Sequence, residues 1–195
     1  MTLKELQKIL TSIAPADREA MDRAKKRQAE LAKPPGSLGK LEDMSIRLAG
    51  ITGQESCRIL VFAADNGVIA EGVSSSPESV TMSQAVNMTR HITGMSALAR
   101  YFGNSVVVAD VGINAEVRCP AILNRKIRRS TRNLAKEPAL TRQEVLDAMG
   151  VGLELAGQAK EEGVQAIGVG EMGIGNTTTS SAVLAALTGA AVEQV

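Results

Sequence analysis

Between Gly168 and Thr179 the sequence reads Gly-Val-Gly-Glu-Met-Gly-Ile-Gly-Asn-Thr-Thr-Thr, the strongest local signal in the chain. Glycines let a backbone turn tightly and approach a ligand, and a helix that follows offers unpaired N–H groups and the positive end of its dipole. Thr177, Thr178 and Thr179 add hydroxyl donors, so the run suits a phosphate. A tight strand-to-helix connection capped by threonine would use the same residues, although it needs fewer glycines and threonines. No Gly-Lys-Ser/Thr follows, so this is not a P-loop: the lysine that meets terminal phosphates is missing. Gly168-x-Gly170-x-x-Gly173 also fits the dinucleotide fingerprint, with Glu193 spaced to bind a ribose. Glu171 would then sit inside the turn, where a carboxylate opposes a pyrophosphate. A dinucleotide site is therefore the alternative.

A second segment, Gly67 to Pro77, leaves an apolar run and enters a helix carrying Gln84 and Met88. Ser76 and Gln84 could flank a planar heterocycle, with methionine as a soft apolar wall. An ordinary polar turn explains the same residues. His91 lies in a predicted helix with no nucleophile or carboxylate nearby in sequence, which favours a helix-surface or core-edge position over catalysis. Lys33-Pro34-Pro35-Gly36-Ser37 breaks a helix and reads as a linker. Arg125-Lys126-Ile127-Arg128-Arg129, with Arg132 beyond it, reads as a solvated loop rather than an anion site.

Positioning these residues requires strands alternating with helices. Thr2-x-x-Glu5 has the form of a capping box, and Asp17 can cap a second helix running towards Ala32. Leu41, Met44, Ile46 and Leu48 suggest a third helix ending near Gly50. The apolar runs Ile59–Ala64, Val106–Val111 and Ala166–Val169 suit strands buried on both faces of a parallel sheet. A single helix is expected from about Ser83 to Arg100. Another opens at the Thr141-x-x-Glu144 box, and a last one at Thr177 or Thr178. The stretch from Asn114 to Leu140 reads as an excursion over the active-site rim. The fold class is therefore α/β: a Rossmann-like parallel sheet flanked by helices over residues 51–195, with a small helical N-terminal subdomain over 1–50. In such a sheet ligands gather at the carboxyl ends of the strands, so Asp65, Asp110 and Glu171 should share one rim.

Composition narrows the partners. The 195 residues are 44% hydrophobic, enough to fill a core, and 22 basic groups nearly balance 21 acidic ones. That balance, with only Phe62, Tyr101 and Phe102 as aromatics, argues against nucleic acid as the main partner. Cys57, Cys119 and one histidine make neither a disulfide framework nor a metal site, and no cofactor is implied. No apolar stretch spans a bilayer and the N-terminus is amphipathic, so a cytoplasmic location is expected.

Taken together, several segments resemble one family. They are Lys33-Pro-Pro-Gly-Ser-Leu-Gly-Lys-Leu-Glu42, Ala64-Asp-Asn-Gly-Val-Ile-Ala-Glu-Gly-Val-Ser74, Ser76-Pro77 with Val80-Thr81 and Gln84, Asp110-Val-Gly112, and Gly170-Glu-Met-Gly-Ile-Gly-Asn-Thr-Thr178. Their order and spacing are similar to the dimethylbenzimidazole phosphoribosyltransferases of cobalamin synthesis, from about residue 3 to the end. The resemblance implies transfer of phosphoribose from nicotinate mononucleotide to 5,6-dimethylbenzimidazole. It places Ser76, Pro77 and Gln84 in the benzimidazole pocket, beside which Met88 is a candidate apolar wall, and Gly173, Ile174, Gly175, Asn176, Thr177 and Thr178 around the phosphoribosyl group. Glu171 becomes a second carboxylate at the reaction centre. Asn66 stands where relatives often carry histidine, and Ser130 where glycine is usual. Family members are considerably longer, so the resemblance further implies an N-terminal portion lacking the glutamate that serves as principal base. A homodimer is implied at full length, and exposed apolar faces are expected here.

Overall fold

Val, Ile, Leu and Ala dominate three of the four strands, and the sheet they form is wholly parallel. The computed structural model describes residues 1–30, 36, 39–51 and 57–195. Strands β1 (Cys57–Ala64), β2 (Ser105–Gly112), β3 (Ile122–Asn124) and β4 (Ala166–Met172) run in the order β3-β2-β1-β4. Seven α-helices accompany them among the described residues: α1 (Leu3–Thr11), α2 (Arg18–Glu30), α3 (Lys40–Ala49), α4 (Ser79–Thr89), α5 (Gly94–Tyr101), α6 (Arg142–Glu161) and α7 (Asn176–Thr188). Successive strand residues point to opposite faces. Val61, Ala63 and Val108 therefore pack with Ala85 of α4 on one face, while Leu60 and Ala109 meet Val151 and Leu155 of α6 on the other. Helices on both faces of a parallel sheet match the expected Rossmann-like class.

Chain order fixes where a ligand can sit. From β1 the chain steps outward to β2 and β3, then crosses to place β4 on the opposite side of β1. The reversal opens a crevice between the carboxyl ends of β1 and β4, the place where doubly wound sheets bind ligands.

Local capping signals hold. Thr2 and Glu5 close a reciprocal box on α1, and Thr141 and Glu144 do so on α6. The Asp17 carboxylate accepts from the Ala20 N–H at 3.1 Å, starting α2; the expected end of that helix at Ala32, and most of the Lys33–Ser37 linker, lie outside the described residues. Helix α1 buries Leu6 and is tied to α6, where the N-terminal ammonium meets Asp147 at 3.4 Å. Helices α2 and α3 pack on each other, with Met21 against Gly50.

One expected element is divided and one segment gains a strand. The single helix over 83–100 is two, α4 and α5, because His91 adopts a left-handed φ of 58° just past the α4 C-cap. Thr93 then opens α5 through its own box with Ser96, so a local cap outweighs the apolar periodicity that runs across the break. His91 is half-buried at this turn, and its Nδ1 has no hydrogen-bond partner. The 114–140 excursion also contains a strand: β3 pairs with β2 through Val108–Ile122, Ala109–Leu123 and Asp110–Asn124. Three residues leave too short a pattern to read, and the pairing with β2 makes the strand.

The expected exposed apolar faces are present, at Leu10, Ile13, Leu41 and Met44 of the N-terminal segment and at Val169, Val183 and Leu187 of the β4–α7 flank.

Candidate active site

The glycine-rich loop lies in the crevice between β1 and β4. Gly168 and Gly170 are strand residues, paired with Ile59 and Val61, so the turn itself begins at Gly173. A Cβ on Gly173 would stand 2.1 Å from the Ala64 carbonyl oxygen, which explains the glycine: the loop is pressed onto the end of β1. Gly175 adopts φ 87° and serves as the N-cap of α7. The Ile174 peptide is held on both sides. Its N–H donates to Thr81 Oγ1 at 3.0 Å, and its carbonyl accepts from Asn66 Nδ2 at 3.0 Å. The Asn176 N–H donates to the Gly173 carbonyl at 3.1 Å. Among the described residues, the backbone N–H groups of Gly175, Thr177 and Thr178 have no protein partner. They form an anion-seeking cluster at the positive end of α7.

Glu171 ends β4 beside this cluster, exposed, and its Oε1 accepts from Asn176 Nδ2 at 2.7 Å. Asp65 and Asp110 lie at the same rim, as the topology requires, but both are buried and turned to structural work. Asp110 Oδ1 accepts the N–H groups of Gly112 and Ile113, and Oδ2 pairs with Lys126 at 2.9 Å. Lys126 also donates to the carbonyls of Ile113 and Ala115. Asp65 Oδ2 accepts from the Asn114 N–H at 2.7 Å, while Oδ1 is buried without a hydrogen-bond partner. Burial pushes the Asp65 carboxyl above the ordinary range. The Asn114 N–H and the neighbouring Thr81 hydroxyl oppose that shift, Glu78 adds to it and Lys126 subtracts.

The basic run is not a solvated loop. Arg125 pairs with Glu154 at 2.7 Å, Lys126 with Asp110, and Arg128 and Arg132 with Glu144 at 3.7 and 2.7 Å. The acids come from α6 and β2, so the run straps the rim to the helix behind it. Arg132 first, then the Thr141 N–H, hold the Glu144 carboxyl down at about 2.

The second segment is also at the rim. After β1 a 3-10 turn, Gly67–Glu71, leads through Ser74, whose hydroxyl bridges the backbone of Ser76, to Pro77 and α4. Gly67 has no room for a side chain, since a Cβ would lie 2.4 Å from the Thr131 carbonyl oxygen. Thr131 Oγ1 accepts the Gly67 N–H, and Asn133 and Lys136 both bind Glu71, fastening the turn to the excursion. On α4 the spacing of Thr81, Gln84 and Met88 sets them along one stripe. Gln84 and Met88 are half-buried, and Met88 packs against the core cluster.

Thus Glu171 and residues 173–178 are brought together, and the α4 stripe reaches them through Thr81. Glu193, the ribose ligand of the dinucleotide alternative, lies exposed in a 3-10 turn (Val192–Gln194) beyond α7. With the first two glycines inside β4, that alternative loses its turn. The sequence marks Thr81 only as part of the family resemblance and Asn66 only as a departure at the rim, and neither as a contact of the glycine loop. A hydroxyl within an apolar helix stripe was the available signal for Thr81; Asn66 carried none beyond its place at the strand end. Among the described residues, no group of three His, Cys, Asp or Glu is set to hold a metal, and no helix is long and apolar enough to cross a membrane.

Comparison with known proteins agrees with this geometry. A family model described as phosphoribosyltransferase, DBI_PRT, matches residues 13–195. A nicotinate-nucleotide–dimethylbenzimidazole phosphoribosyltransferase of Ruminiclostridium cellulolyticum is 46% identical over 194 residues, 97% of this chain and 54% of the relative. One from Clostridium perfringens is 46% identical over 196 residues, with the same shares. The crystal structure of CobT from Thermus thermophilus superposes with a TM-score of 0.77 at 40% identity, covering 88% of this chain and 53% of that one. The chain spans about half the length of the curated relatives it matches. It belongs to the phosphoribosyltransferase family in which nicotinate-nucleotide–dimethylbenzimidazole phosphoribosyltransferases are found.

Proposed function

We propose that this chain supplies the phosphoribosyl-binding half of an enzyme that transfers phosphoribose from nicotinate mononucleotide to 5,6-dimethylbenzimidazole. The observation that carries the reading is the cluster of free N–H groups at Gly175, Thr177 and Thr178, placed at the crevice between β1 and β4. A 5′-phosphate there accepts from these groups and from the threonine hydroxyls, and the ribose then lies towards Glu171. A benzimidazole nitrogen attacks C1′ from the face opposite nicotinate. The C1′–N bond to the pyridinium breaks with its electron pair returning to the nicotinate ring, and the benzimidazole N–H proton passes to a carboxylate base. The resemblance assigns that base to the C-terminal part of the family's longer members. Glu171, oriented by Asn176, steadies the positive charge that develops on the sugar. Ser76, Pro77, Gln84 and Met88 form the wall against which the flat base lies. For a protein of the relatives' length the same reading carries a cytoplasmic homodimer, with α1 to α3 contributing to a small helical domain.

Calorimetric titration tests the half that is present. Nicotinate mononucleotide should bind and NAD should not, and Thr178→Val should weaken the mononucleotide. Binding of NAD alone, or of neither ligand, overturns the reading.

A further inference from the structure

The Ile174 peptide has no polar group left for a ligand: Thr81 takes its N–H and Asn66 its carbonyl. These two side chains come from different places, the first turn of α4 and the N-cap of the 3-10 turn that follows β1. Thr81 is fully buried. Its oxygen accepts the Ile174 N–H, and its hydroxyl neighbours the Asp65 carboxyl. Thr81 thus holds the Gly173–Ile174 peptide by its N–H, and Asn66 holds the Ile174–Gly175 peptide by its carbonyl. The second of these peptides carries the Gly175 N–H, so the Asn66 contact sets the direction of that group.

We propose that Thr81 and Asn66 are positioning residues that clamp the Ile174 peptide and set the distance between the phosphate loop and the base-binding stripe of α4. The inference rests on the proposed phosphoribosyl site and adds to it a rule for how the two substrates are held in register. Thr81 sits one helical turn from Gln84 and two from Met88, so one hydroxyl joins the surface that receives the base to the loop that receives the sugar phosphate. Neither residue touches the reacting atoms. Their effect passes through the loop.

The test uses Thr81→Val, which keeps the shape and removes the hydroxyl, Thr81→Ser, which restores it, and Asn66→Ala, which opens the other side of the peptide. Amide hydrogen exchange is followed at Ile174 and, as a reference, at Leu60 and Val61. Titration with nicotinate mononucleotide is run in parallel. In Thr81→Val, Ile174 should exchange at least about tenfold faster while Leu60 and Val61 stay protected, and mononucleotide affinity should fall about tenfold. Thr81→Ser should return both to within about twofold of the parent. Asn66→Ala should weaken binding with the strands still protected, and it decides the matter if Thr81→Val does not fold. Unchanged Ile174 exchange in Thr81→Val and Asn66→Ala, or parental affinity in both, overturns the clamp. Failure of the parent chain to bind the mononucleotide sinks the phosphoribosyl reading instead, and the exchange rates still judge the clamp.

Discussion

Strands β1 and β4 lie side by side, both parallel and both apolar, in opposite surroundings. On β1, Leu60 and Val61 are 2% exposed and Ala63 is fully covered, with α4 on one face and α6 on the other. On β4, Ile167 is 38% and Val169 79% exposed, and α7 beyond it buries none of its residues, leaving Leu187 at 82%. Polar groups divide in the same way. Around β1 and β2 nearly every charge is met by a partner from another element: Asp110 by Lys126, Glu144 by Arg128 and Arg132, Arg125 by Glu154. Among the described residues, the β4–α7 flank offers an unpaired strand edge and an apolar helix, features that call for cover. The candidate site lies on the seam, its glycine loop fastened to the finished half and its helix projecting into the unfinished one. The lesson is that the loop's geometry is imposed from the β1 side, by Asn66 and Thr81, so it persists whether or not the flank is covered.

If that division is right, substitutions should cost stability in proportion to their depth in the β1–β2 half. Among the charge-pair variants Lys126→Met is expected to be the most damaging, because it strands Asp110, whose side chain is 2% exposed, without its counter-charge. Losing one partner of a buried pair costs about 3–5 kcal/mol, and removing both charges costs less. Denaturant midpoints should therefore drop sharply for Lys126→Met and recover in part for Lys126→Met with Asp110→Asn. A single variant within about 1 kcal/mol of the parent would show that the pair is solvated and erase the contrast.

Glu144→Gln should act next most strongly, and its pH dependence carries the sign. Arg132 and the Thr141 N–H lower the Glu144 carboxyl from an ordinary 4.5 to about 2 in the folded chain. A lowered folded value means that the stabilisation is present above 4.5 and is lost as pH falls towards 2. The variant should melt lower than the parent at pH 7, and its Tm should decline less between pH 4.5 and 2. Parallel Tm curves for the two proteins over that interval would remove Glu144 from the strap.

How much of this was legible depended on how local the cause was. The capping boxes at Thr2 and Thr141 are spelled within four residues, and the runs that became β1 and β2 announce burial by their apolar character, whereas β4 reads the same way and lies exposed. The glycine–threonine loop could be read for the same reason. His91 could not: a left-handed histidine has no sequence signature, and the apolar spacing of Met88, Ile92, Met95 and Leu98 continues across it. The basic run misled because its partners lie on α6 and β2, and the charge of a run says nothing about what faces it. Thr81 and Asn66 act on Ile174 across separations of 93 and 108 residues, which only the folded chain brings together.

The smallest effect is expected on the flank. Val169→Lys places a charge on an edge strand where the side chain already meets solvent, so little packing is lost and stability should stay within about 0.5 kcal/mol of the parent. Its consequence should instead be colloidal. An edge lysine discourages strand-to-strand pairing, so light scattering at high concentration should fall relative to the parent while the Tm holds. The matching change one strand inward, at its register partner, Leu60→Lys, forces an ammonium among Ala109, Val151 and Leu155 and should abolish folding. A Val169→Lys protein that loses more than about 1 kcal/mol would mean that β4 is already packed against something in solution, and the two neighbouring strands would then differ in degree rather than in kind.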